Sequence, residues 1–136
     1  MGGRAGLGPH DRSDCLNGDV LGNDALVAYD TSAEAAAATF EARGALDAPC
    51  AVSYGPVPGS VYAGHRFIDV LIHGWDLATA TGQDATLDPE LVDAAYRLLQ
   101  DQADIVRASR MFGEDLLVPA GVGPQTQLLA FIGRKG

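Results

Sequence analysis

The chain has 136 residues, 47% hydrophobic and 20% charged, the composition of one ordinary globular domain with a modest core. Eighteen acidic against nine basic residues leave a formal net charge of -9, and that field repels phosphate backbones and anionic headgroups, which argues against nucleic-acid and membrane-surface roles. No apolar run approaches the ~20 residues of a membrane span and the Gly-rich start lacks the apolar stretch of a signal peptide, so the expected location is cytoplasmic. Cys15 and Cys50 stand far apart without a C-x-x-C pattern and are expected as reduced, structural thiols.

Residues 1–21 mix Gly, Asp, Asn and Arg without a hydrophobic period and read as a flexible lead-in to a helical domain over residues 22–136. From Asn23 an Ala-rich stretch places Leu26, Tyr29, Ala33, Ala36, Ala37 and Phe40 at helical spacing, and this first helix is expected to end at Gly44. Pro49, Pro56 and Pro58 break the following connection, which leaves room for a short extended piece over Cys50 to Tyr54. A long helix is predicted from about Pro58 to Thr81, stopped by Gly82 in a left-handed cap. Asp88 as N-cap, Pro89 at the first helical position and Glu90 in the first turn open another, continuing to about Ser109. Its buried stripe is expected to be Leu91, Ala95, Leu98, Leu99, Ala103 and Val106, with Asp93, Asp101 and Asp104 on a solvated face. Pro124 to Ile132 reads as a short closing helix ended by Gly133. Three solid helices and a short fourth make the fold class all-α.

The helix from Pro58 to Thr81 carries the chemistry. At 100° per residue His65, Asp69 and His73 drift only 40° per step and Asp76 returns to within 20° of Asp69, so the four share one face, with Tyr62 in the same strip. Val61, Ile68, Ile72 and Trp75 flank this polar seam on one side, and Phe67, Val70, Leu71 and Leu77 on the other. Apolar flanks on both sides predict a central helix whose seam lines an interior groove. Buried carboxylates there need a cation, an imidazole or a metal ion as partner.

Asp69 and His73, at i and i+4, can aim an oxygen and a nitrogen at one point, the spacing by which a helix offers two ligands to one cation. That mixed donor set suits zinc, nickel, manganese or iron without selecting among them, and zinc is the expected occupant. The same two side chains could instead make hydrogen bonds between helices. His65, one turn earlier, and Asp76, three residues after His73, are candidates for orienting these ligands. Asp76 could equally receive Arg66 or a backbone amide.

The stretch RFIDVLIHGWDLATATGQ (Arg66 to Gln83), preceded by SYGPVP from Ser53, resembles the actinobacterial branch of the DinB-like family, related to mycothiol-dependent maleylpyruvate isomerases. The likeness continues through LDPEL (Leu87 to Leu91), MFG (Met111 to Gly113), VPAG (Val118 to Gly121) and PQTQLLA (Pro124 to Ala130), and reaches back to DVLG (Asp19 to Gly22). It implies an up-down, DinB-like four-helix bundle that holds a divalent metal through a histidine on an early helix, then an acidic residue and a histidine four apart. Asp69 and His73 match the last two. Family members carry the first histidine in an N-terminal helical pair, whereas this chain has a Gly-rich lead-in and His10 lies in no comparable helix. The expectation is a partial bundle without that pair.

Two functions follow as expectations. In one, the chain is a metal-dependent thiol transferase or isomerase, with mycothiol as thiol cosubstrate and an electrophilic small molecule as acceptor. The cation would supply a thiolate at neutral pH, so no protein nucleophile is required. In the other, the chain is a non-catalytic helical module that buries an open apolar face, Ile68, Ile72 and Trp75, against a partner or a second copy as a homodimer.

Overall fold

The computed structural model describes residues 18–52, 55–104 and 113–135. Expectations that concern residues 1–17, including His10 and Cys15, the helix beyond Asp104 with Val106, and Ser53, Tyr54, Met111 and Phe112 lie outside the described residues. The fold is mostly helical, with a small two-stranded sheet. Among the described residues no helix is long and apolar enough to cross a membrane. Two compact units divide the chain, residues 1–48 and 49–136.

In the first unit, Asp19 Oδ1 accepts the backbone N–H groups of Leu21 and Gly22. Helix α1, Ala25–Glu41, opens on Asp24, whose Oδ1 accepts from the N–H groups of Leu26 and Val27 at 3.0 and 3.1 Å. That satisfies two donors that have no partner within the helix. The helix stops three residues short of the predicted Gly44, because Ala42 is extended and Gly44, at φ 80°, starts a separate turn closed by Asp47 and Ala48 N–H groups on its carbonyl. No residue of α1 is buried. Of the residues that define its helical period, Leu26 and Tyr29 are exposed and Phe40 is half-buried.

The second unit begins with a hairpin, β1 (Pro49–Val52) antiparallel to β2 (Gly55–Pro58), with Cys50 opposite Val57 and Val52 opposite Gly55. The prolines that argue against a second strand occupy alternate positions, 56 and 58. Both missing N–H groups therefore fall on the same outward edge, and Gly55 and Val57 remain free to pair. Helix α2, Gly59–Thr81, follows directly and ends at Gly82 in the left-handed conformation (φ 69°, ψ 24°), as predicted. Helix α3, Pro89–Asp101, is capped by Asp88, which accepts from Glu90 and Leu91 N–H groups. It is interrupted at Gln102 (φ -113°, ψ 18°), and the predicted stretch beyond Asp104 to Ser109 lies outside the described residues. Asp101 places negative charge at the negative end of the helix dipole, and no basic residue in the last turn offsets it.

Helix α4, Pro124–Phe131, packs on α3, and α3 in turn on α2. The core between them is Ile68, Ile72 and Trp75 from α2, Val92, Ala95 and Leu99 from α3, and Leu128, Leu129 and Ile132 at α4. Leu91, expected in the stripe, is exposed, and the buried residue of that turn is Val92, one position further round the helix. Side-chain Oε1 of Gln125 accepts the Leu87 N–H at 2.8 Å and its Nε2 donates to the Ala85 carbonyl at 3.0 Å, which ties the α2–α3 loop to the start of α4. Residues 113–119 run without regular structure, joined to α4 by the Leu116 N–H on the Ala130 carbonyl. Gly133, at φ 76°, closes α4 against Gly113 so tightly that an added Cβ would lie 2.6 Å from the Gly113 Cα.

Candidate functional site

The seam residues sit on α2 as the helical period requires, but the seam is not interior. The His73 side chain is 70% exposed and that of Asp69 38%, and no described polar side chain is buried. Apolar residues flank the seam on both sides, yet the second flank packs only in part, with Phe67 and Leu71 partly buried against the core. Ile68, Ile72 and Trp75 are buried, whereas Val70 and Leu77 lie at 65% and 63% exposure. The expected interior groove is thus replaced by a half-exposed strip. The open apolar face assigned to Ile68, Ile72 and Trp75 is corrected by the same observation, since α3 and α4 already cover those residues.

Along the strip the polar groups pair at one-turn spacing. Arg66 Nη1 donates to Asp69 Oδ2 at 2.9 Å, so Arg66 serves Asp69 and not Asp76. His73 Nδ1 lies 3.3 Å from Asp76 Oδ2. In the Nδ1–H tautomer this nitrogen donates to the carboxylate and leaves the Nε2 lone pair as the ligand atom. Asp76 is itself fixed, because Arg134 donates through Nε to Oδ1 and through Nη2 to Oδ2, both at 2.7 Å. This two-pronged bond matches planar guanidinium to planar carboxylate. The Arg134 hydrogen bond holds the Asp76 carboxyl below its ordinary value near 3.8, against partial desolvation and with help from His73. Asp76 in turn raises the Arg134 guanidinium above its usual range.

Asp76 thus contacts His73, the residue it was expected to orient, and its second partner is Arg134, which sequence reasoning missed. The only available signal was a basic residue just past the C-terminus of α4, a position that the helix dipole favours. His65 is half-buried on the turn before Asp69 and has an interaction partner of its own. Cys50 is a free thiol on β1, apart from the seam in sequence and element. Among the described residues no group of three or more His, Cys, Asp or Glu side chains is gathered closely enough to hold a metal ion. Asp69 and His73 together offer two donors, one oxygen and one nitrogen.

Comparison with known proteins adds kinship without a role. The chain is 42% identical over 116 residues to uncharacterised proteins from two strains of Mycobacterium tuberculosis, CDC 1551 / Oshkosh and ATCC 25618 / H37Rv. The match covers 82% of this chain and 63% of each relative, so the chain spans less than two thirds of their length. No family model and no solved structure matches.

Proposed function

We propose that the α2 seam is a divalent-metal site with Asp69 and His73 as ligands, in a DinB-like thiol transferase or isomerase that uses mycothiol. The observation that carries the reading is the chain of bonds behind His73. Its Nδ1 rests on Asp76 and Asp76 rests on Arg134, the carboxylate support that metal-ligating histidines have in general. Imidazole nitrogen and carboxylate oxygen at i and i+4 fit two positions of a zinc-type coordination sphere. The remaining ligands would come from outside the described residues or from a second chain.

Each residue has a defined part. Asp76 fixes the imidazole tautomer and raises its basicity as a ligand. Asp69 supplies the anionic oxygen, which Arg66 occupies until a cation competes for it. That competition costs little, because an exposed ion pair contributes only about 0.2–1 kcal/mol. A bound divalent cation lowers the pKa of a coordinated thiol and so supplies thiolate at neutral pH. The test is transfer of mycothiol to an electrophilic acceptor by zinc-loaded protein. Turnover that disappears on chelation and in His73→Ala supports the proposal, whereas turnover indifferent to both refutes it.

A further inference from the structure

Arg134 belongs to two places at once. Its Nε and Nη2 are taken by Asp76, and the same side chain lines a groove of about 260 Å³ with Leu116, Leu117, Val118, Thr126 and Lys135. Lys135 is the only lysine in the sequence. Among the described residues it pairs with no carboxylate. A chain of net charge -9 thus places an ammonium with no carboxylate partner among the described residues beside a guanidinium whose Nη1 is not used by Asp76, next to one hydroxyl and three aliphatic side chains.

We infer that this groove binds a small aliphatic monocarboxylate, its carboxylate on Lys135, Arg134 Nη1 and Thr126 and its chain along Leu116, Leu117 and Val118. Charge selects the class. Arg134 is largely neutralised by Asp76, so among the described residues the groove wall offers about one net positive charge, which a carboxylate matches and a phosphate dianion exceeds within an acidic protein. The volume, below the ~300–1,000 Å³ of sites for drug-sized ligands, restricts the ligand to a small one, and the lining is mainly apolar. Guanidinium N–H groups and the Thr126 hydroxyl donate, and a carboxylate accepts from several donors at once. The inference shares Arg134 with the seam but does not require a bound metal, and it is tested on metal-free protein.

Hexanoate titrated into the 15N-labelled full chain, with the Leu116 and Thr126 amide signals as readout, is the experiment. Saturable shifts are expected with hexanoate and none with hexanamide, and Lys135→Gln should weaken binding at least fivefold. Leu117→Ser, at a fully exposed wall position, should weaken it while leaving the fold untouched. Absence of saturable shifts, equal binding of hexanamide, stronger binding of inorganic phosphate, or an affinity unchanged in Lys135→Gln would each overturn the inference.

Discussion

Arg134 closes on both carboxylate oxygens of Asp76 across 58 residues of sequence. This bond joins a residue two positions past the α4 C-cap, Ile132, to the last turns of α2. It also holds the carboxylate on which the His73 imidazole rests. One ion pair therefore serves both the packing of the second unit and the orientation of its most exposed histidine.

Arg134→Gln is expected to destabilise the protein by about 1–2 kcal/mol near neutral pH, more than a solvated surface pair and less than a buried one. The pH dependence has a definite sign. Asp76 is depressed from its ordinary value near 3.8, so its contribution is complete above that value and is lost as pH falls through the lower folded-state value. The gap between wild type and Arg134→Gln should therefore narrow as pH drops below about 4. Urea unfolding followed by the fluorescence of Trp75, the single tryptophan and a buried one, measures both quantities.

Ile72 and Val70, on either side of the seam, should respond very differently to truncation. Ile72→Ala removes a side chain that is 1% exposed at the centre of the α2–α3–α4 core and should cost roughly 2–5 kcal/mol. Val70→Ala, two positions away and 65% exposed, should change stability by less than about 0.5 kcal/mol. The same unfolding experiment compares them. A costly Val70→Ala would restore the fully buried helix that the flanking pattern suggests.

What the sequence made legible was local. Asp88 before Pro89 and Gly82 after Thr81 set helix ends because capping chemistry acts within a few residues. The seam itself follows from helical period alone. Its burial does not, because Val70 and Leu77 look like core residues in a pattern and only packing shows that they remain outside. Strand β2 was hidden by Pro56 and Pro58, whose alternate placement is harmless only once the register is known. Arg134 could not be paired with Asp76 from spacing, since the fold alone brings them together.

Arg66 competes with any cation for Asp69, so Arg66→Gln should strengthen zinc binding, by up to about fivefold for an exposed pair. The gain should shrink as salt rises, because salt already screens the ion pair in wild type. Calorimetric titration at low and high ionic strength tests this. Weaker zinc binding in Arg66→Gln would mean that Arg66 positions Asp69 as a ligand and does not block it.

Zinc titration of the full chain and of its Asp69→Ala, His73→Ala and His10→Ala forms, read by calorimetry and elemental analysis, tests the metal site most directly. Two donors from one helix hold a cation more weakly than three donors from two helices. The expected result is weak, easily chelated binding that falls at least tenfold on loss of Asp69 or His73 and is unchanged on loss of His10. Tight one-to-one binding that survives His73→Ala would contradict it.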